Sequence, residues 1–347
     1  MPRQPRPPST DADLDVRGAV PSGLSGRLTG VGGDALVHSL TLHGGRVSYR
    51  ARPVRAAAAV RELIAVDGSA LAVTGEAAVV ELNPATGRSR PIDLTGPGGP
   101  PVAGPRLDPA TGELHLVARS PGGDHVPVIV PAGRLPRRSR PLAGARGDVK
   151  GLALSRDDLV VVTDGALGVV RRAGEAPITW IPTGAVAPAP VQTYRDGDAL
   201  VLLVLTPSLE RWVLRPDSPR MEREVLDAAP RRFARVATGG IPGPLWTTGG
   251  HTIGRHDLVG PRSTHRNVSP ALAGDFALVP DAARPGAADG WFVGFFHDTT
   301  AGTTELRVID VADPTGPAIA AVTLPRHLAP RTRWAWTPED GRPPTDP

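Results

Sequence analysis

The chain has 347 residues, 39 Lys+Arg against 35 Asp+Glu for a formal net charge of +4, 40% hydrophobic and 4% aromatic residues, and no cysteine. That length holds one large domain or two ordinary ones, and the missing thiols exclude disulfides, thiolate metal sites, iron–sulfur clusters and a cysteine nucleophile. Gly 41 and Pro 40, close to a quarter of the chain together, suit a turn-rich all-β protein and leave no room for long helices. The basic residues are almost all arginine, interspersed with acidic ones, and Lys150 is the one lysine. A small, unclustered charge excess argues against a nucleic-acid partner.

The opening MPRQPRPPSTDADLD places Arg and Pro where a signal peptide needs an apolar core. Residues 1–13 are therefore expected to be a disordered lead-in, residues 339–347 a similar tail, and the protein cytoplasmic. No apolar run approaches the roughly 20 residues that span a bilayer, so membrane contact is expected to be peripheral at most. Between the ends, short β segments follow one another: 34–42 (DALVHSLTL), 46–52 (RVSYRAR), 78–82 (AVVEL), 113–119 (ELHLVAR), 158–164 (DLVVVTD), 199–205 (ALVLLVL), 291–298 (WFVGFFHD) and 304–310 (TELRVID). Turn chemistry such as DG, NPATG and RDGD separates them. The turn recurs as LNPATG at 82–87 and LDPATG at 107–112, which suggests repeated hairpins. Blades of ~40–50 residues would place about seven in the span 14–338, and a closed ring limits exposed edge strands. The expected fold is all-β, a seven-bladed β-propeller. A pair of β-sandwiches is the structural alternative, disfavoured because nothing interrupts the pattern like a linker.

At this point the residues resemble a known family. VRGAVPSGLSGRL followed by GGDALVHSLTLHGGRVSYRARPVR (32–55) is similar to the start of the carotenoid cleavage oxygenases, which include the retinal pigment epithelial membrane protein and lignostilbene dioxygenases. WFVGFFHDTTAGTTELRVIDVADPTGPAIAAVTLPRHLAPRTRWAWTP (291–338) is similar to their end, and ELNPATG, RLDPATGELHL, GLALSRDDLVV, VQTYRDGDALV, ERWVL and RRFARV fall between in family order. The resemblance implies a seven-bladed propeller holding one Fe(II) through four histidines from separate blades, steadied by glutamates behind them. It also implies O₂-dependent cleavage of a carotenoid, apocarotenoid or stilbene double bond, or, in one branch, isomerising hydrolysis of retinyl esters.

The ligand positions depart from that pattern. The family's first histidine, in an Ala-His-Pro run, falls on Gly104, between Ala103 and Pro105. The second falls on Lys150, ahead of Gly151, Leu152 and Ala153. The third falls on Ala189, with Gln192 and Tyr194 marking the register, and the fourth on Arg333 in Thr332-Arg333-Trp334-Ala335-Trp336. A family glutamate falls on Gly75, or on Glu76 with a slip of one. Gly104 and Ala189 offer no lone pair, and protonated Lys150 and Arg333 would repel a divalent cation. Iron is therefore not expected, although the family requires it, and no other cofactor is predicted.

The resemblance thus implies a degenerate carotenoid cleavage oxygenase-like protein without iron-dependent dioxygenase activity. It is expected to bind an apolar, isoprenoid- or apocarotenoid-like ligand in the propeller, with an anionic or aldehyde end held by Lys150 and Arg333. The alternative is a metal-independent isomerase or cyclase using Lys150 and Arg333 at the axis, with Lys150 desolvated and able to form a Schiff base. A lower-ranked third reading is a residual oxygenase with non-standard metal ligands, and the sequence names no protein partner. Of the nine histidines, His38, His115 and His297 sit in ordinary strand positions, while His43, His125 and His327 adjoin turns. His251, His256 and His265 could form a metal site only if their segment were a loop. GVGGD (30–34) is a turn into a strand, without the helix a phosphate loop requires. Trp334 and Trp336 are expected in core packing.

Overall fold

The structure is a computed structural model that describes residues 10–54, 60–66, 69–74, 78–94, 101–108, 111–131, 136–145, 147–172, 177–184, 189–206, 208–215, 221–227, 244–257, 262–281, 290–330 and 332–339. All regular elements among them are strands. The chain divides into two compact units: Met1–Ile92, Arg231–Gly239 and Gly243–Pro347 in the first, Asp93–Pro230 and Gly240–Pro242 in the second.

The first unit opens with β1 (Thr10–Leu14), β2 (Val16–Gly18), β3 (Gly26–Val31), β4 (Leu36–His43), β5 (Arg46–Pro53), β6 (Val60–Val66), β7 (Ser69–Thr74), β8 (Val79–Leu82) and β9 (Ser89–Ile92). The second unit holds β10 (Pro101–Leu107), β11 (Leu114–Arg119), β12 (His125–Val130), β13 (Arg137–Arg138), β14 (Val149–Leu154) and β15 (Asp158–Thr163). It continues with β16 (Ala166–Arg171), β17 (Thr179–Pro182), β18 (Ala189–Asp196), β19 (Ala199–Leu205), β20 (Leu209–Leu214) and β21 (Glu222–Asp227). The chain then returns to the first unit with β22 (Leu245–Gly249), β23 (Thr252–Asp257), β24 (Arg262–Asn267), β25 (Leu272–Pro280), β26 (Gly290–Asp298), β27 (Thr303–Asp310), β28 (Ala320–Thr323) and β29 (Arg333–Pro338).

These strands form seven antiparallel sheets. In the second unit three sheets of four are strictly sequential, β10–β13, β14–β17 and β18–β21. The first unit has four sheets: β6–β9, the three strands β22–β24, and two that unite the ends of the chain. One runs β1-β5-β4-β3-β29 and the other β2-β28-β27-β26-β25. Strands such as ALVLLVL of β19 are buried along their length, so they read as apolar runs; β5 alternates instead. Leu40, Leu42, Val47 and Tyr49 point to one face, where they pack with Val293, Phe295, Leu306 and Val308 of the neighbouring sheet. Trp334 belongs to the same core, its indole stacked on Phe295 at 4.0 Å between centroids. The ring lies across β3 at Gly30, where a Cβ would stand 2.5 Å from it; only glycine leaves the indole that room.

The expected disorder over residues 1–13 is corrected in part: Thr10–Leu14 is strand β1, paired with β5 from Thr10↔Ala51 to Leu14↔Val47. The segment TDADL has little apolar content to announce a strand. It is anchored by charge, the Asp11 carboxylate accepting from Arg50 Nε at 3.2 Å and Arg52 Nη2 at 2.7 Å. The recurring turn also differs from a blade repeat. Asn83–Gly87 joins β8 to β9, third strand to fourth, whereas the turn from Asp108 to Gly112 joins β10 to β11, first to second. Both close with the Gly N–H donating to the carbonyl four residues back, at 2.9 and 2.8 Å, and both glycines have φ of 69°.

Candidate functional site

All four positions singled out by the resemblance lie on the first strand of a sheet or on its C-terminal equivalent. Gly104 is in β10, Lys150 in β14 and Ala189 opens β18, and these three strands run side by side within the second unit. Each departs from the ladder at or beside the position in question. The β10–β11 register shifts between Ala103 and Arg106, the β14–β15 register between Val149 and Gly151, and the β18–β19 register between Pro190 and Gln192. Lys150 is itself the residue left without a partner across the ladder. Bulges of this kind re-aim side chains and recur next to active sites.

Lys150 is turned outward, its side chain 42% exposed, with Nζ 3.2 Å from Asp164 Oδ2 and 3.9 Å from Asp148 Oδ2. The desolvated lysine expected for Schiff-base chemistry is therefore not what the structure shows. Two carboxylates and solvent stabilise the ammonium, and a nucleophilic amine must be neutral. Arg333 opens β29 in the first unit, opposite Val31, half-buried and without an ion-pair partner among the described residues. The next residue, Trp334, is fixed by its backbone N–H donating to Asp275 Oδ2 at 3.0 Å, across from β29 to β25. Gly75 and Glu76 lie outside the described residues.

The histidines are held by other groups. In the first unit His38 is fully buried between Asp34 and Tyr49, with Nε2 3.2 Å from Asp34 Oδ1 and Nδ1 2.8 Å from the Tyr49 hydroxyl. Asp34 accepts from Nε2–H, while Nδ1 meets the tyrosine hydroxyl. Burial pushes the Tyr49 pKa up to about 12, which keeps that hydroxyl a donor. His256 lies between Ser263 Oγ at 2.8 Å and Thr247 Oγ1 at 3.1 Å, on strand β23 rather than in a loop. His265 meets it edge-on at 5.6 Å, while His251 binds the Ala271 carbonyl at 2.8 Å. His297 shares a 3.2 Å hydrogen bond with Thr304 Oγ1, and burial, with His327 adding to it, pushes its pKa down to about 4. His43 Nδ1 is 2.8 Å from Glu339.

In the second unit His115 lies against Arg172, which also binds Asp108. Burial, reinforced by the guanidinium, lowers the His115 pKa to about 4. Burial likewise lowers that of His125. Among the described residues no group of three or more His, Cys, Asp or Glu side chains is gathered closely enough to hold a metal ion. No helix among them is long and apolar enough to cross a membrane.

The bulges beside Gly104, Lys150 and Ala189 leave no sign in composition and were not anticipated from the sequence. Nor were the carboxylates around Lys150, although Asp148 stands two residues away and DLVVVTD ends on Asp164.

No family model matches the chain, and no curated protein matches it. Solved structures do. The chain is similar to Synechocystis apocarotenoid oxygenase, with a TM-score of 0.81 at 18% identity over 96% of this chain and 97% of that one. A cobalt-substituted form of the same oxygenase gives the same values. A lignostilbene dioxygenase of Pseudomonas brassicacearum gives a TM-score of 0.78 at 16% identity, again over 96% and 97%. The fold is thus the all-β, seven-bladed propeller of these carotenoid cleavage oxygenases, one blade for each of the seven sheets.

Proposed function

We propose that the chain is a divergent carotenoid cleavage oxygenase-like protein that lacks the iron chemistry and binds an apolar, isoprenoid- or apocarotenoid-like ligand. The observation that carries this reading is the donor set on β10, β14, β18 and β29. Gly104 and Ala189 have no side-chain donor atom. The guanidinium of Arg333 carries N–H donors and no acceptor, and Lys150 Nζ is already engaged by Asp164 and Asp148. Ferrous ion favours imidazole and carboxylate ligands, and these four residues do not fit it.

The ligand class is drawn from the names of the matched proteins, an apocarotenoid oxygenase and a lignostilbene dioxygenase. Within its own unit Arg333 offers an uncommitted guanidinium to an anionic end group, a charge-assisted contact stronger than a neutral hydrogen bond. The isomerase or cyclase reading through Lys150 has less support, because Nζ is ion-paired with Asp164 and Asp148 and its side chain is 42% exposed rather than desolvated.

The test is titration of chelator-treated protein with an apocarotenoid acid, followed by polyene absorbance, tryptophan quenching and an oxygen electrode. The reading predicts saturable binding, an intact chromophore and no oxygen uptake, with Arg333→Gln weakening the acid several-fold. Absence of binding, or oxygen-consuming shortening of the polyene, overturns it.

A further inference from the structure

The sheet β1-β5-β4-β3-β29 has two faces of different chemistry. Behind its apolar face lies the core around Leu40, Leu42 and Tyr49. On the other face the cross-strand partners Asp13↔Ser48, Ser48↔Thr41 and Thr41↔Arg27 form one polar row, and Asp11↔Arg50 and Arg50↔Ser39 form the next. Residues directly opposed across antiparallel strands share a face, so both rows run side by side over the sheet. At one end of this face Val31, Val37 and Ala335 pack with Leu63, Ala72 and Val80 and close the gap to sheet β6–β9. Beyond that seal a cleft of about 370 Å³ remains, with the two rows as its floor and Ala85 of the Asn83–Gly87 turn among its lining residues.

Five polar groups lining this cleft are uncommitted. Ser39 is 6% exposed and lines the cleft, yet its hydroxyl makes no hydrogen bond among the described residues, nor do those of Thr41 and Ser48. Arg27, half-buried, has no ion pair among the described residues, and neither has Asp13, whereas Asp11 is occupied by Arg50 and Arg52. A second cleft of about 330 Å³ in the same unit differs in this respect. There Arg307 is paired with Glu305 and lies over Phe296, and Arg266 donates to the Gly316 carbonyl.

We propose that the first cleft binds a small polyhydroxylated carboxylate, a sugar acid of single-ring size. The Arg27 fork matches a carboxylate in bidentate fashion. Ser39, Thr41 and Ser48 both donate and accept, as ligand hydroxyls require, and Asp13 accepts from hydroxyls at the far end. Three strand spacings put the Asp13 and Arg27 Cα atoms about 14 Å apart, a span that two inward-reaching side chains narrow to the width of one sugar ring. The volume lies at the lower end of small-molecule sites. A neutral sugar would leave Arg27 unpaired, and a simple carboxylate would leave the hydroxyls unpaired. The cleft lies wholly within the first unit and shares no residue with the positions invoked above, so it stands or falls separately from the proposed function.

The test is calorimetric titration of the full chain with glucuronate, glucose and acetate. The proposal predicts a glucuronate Kd of about 1 mM or tighter, with glucose and acetate at least tenfold weaker. Arg27→Gln should bring glucuronate down to the level of glucose, and Arg27→Lys, which keeps the charge but not the fork, should fall between. Thr41→Val should weaken glucuronate several-fold with the melting temperature unchanged, giving a second readout independent of Arg27. No saturation by glucuronate up to about 10 mM, equal affinity for acetate, or an unaltered Kd in Arg27→Gln overturns it.

Discussion

Replacing Arg195 by methionine should destabilise the second unit severely, although Arg195 lines neither cleft. Asp158 opens β15 with its side chain wholly buried, and the Arg195 guanidinium reaches from β18 to place Nε and Nη2 each 2.8 Å from Asp158 Oδ2. What remains to the carboxylate is Ser155 Oγ at 3.2 Å and Arg171 Nε, 3.4 Å from Oδ1 and too poorly aligned for a hydrogen bond. Removing one partner of a buried ion pair costs about 3–5 kcal/mol, because the other charge is left in a medium that cannot solvate it. At about 2–4 °C per kcal/mol for a unit of this size, the melting temperature should drop by roughly 6–20 °C. Asp158→Asn in the same background removes the stranded charge and should recover part of the loss, giving a coupling of about 2–3 kcal/mol in a double-mutant cycle. Calorimetry and urea unfolding of the four proteins measure it. A cost below about 1 kcal/mol for Arg195→Met, or Asp158→Asn adding to that cost in full, would refute the reasoning.

Acid should destabilise both units through two neutral histidines. His115 and His297 have pKa values of about 4 in the folded protein against ~6.5 unfolded. The unfolded chain therefore takes up protons that the folded one refuses, and stability is full above about pH 6.5 and lost toward pH 4, by up to about 3 kcal/mol per histidine. His115→Gln and His297→Gln should each flatten the profile of urea midpoint against pH; an unchanged slope in both would contradict the assignment. Asp11→Asn should loosen β1 alone, seen as faster amide exchange over Thr10–Leu14 with the melting temperature unchanged. Slow exchange there would show that the ladder with β5 suffices without the Arg50 and Arg52 contacts.

The buried middle strands were the legible part of this fold. WFVGFFHD, ALVLLVL and DLVVVTD announce β26, β19 and β15 because strands covered on both faces are apolar throughout. The strands that carry the candidate positions were harder to read. β10, β14 and β18 contain glycine or proline and a register shift, and an extra residue breaks the period of two on which strand reading depends. Short polar strands such as β13 and β24 carry little apolar signal, and β1 depends on two arginines some 40 residues away. The alternation of Ser39 and Thr41 with Leu40 and Leu42 was visible, but that this polar face encloses a cleft follows only from where β6–β9 lies. The contact of Asp158 with Arg195 between two sheets and that of Lys150 with Asp164 within one depend on how the strands pair and pack, and leave no local pattern.

Whether this chain holds a metal is decided by anaerobic incubation of the purified protein with Fe(II), desalting and elemental analysis, alongside an iron-binding apocarotenoid oxygenase handled identically. The oxygenase should retain about one iron per chain and this chain only a trace, because Gly104, Lys150, Ala189 and Arg333 give a divalent cation no ligand. Stoichiometric iron on this chain, surviving desalting, would contradict it.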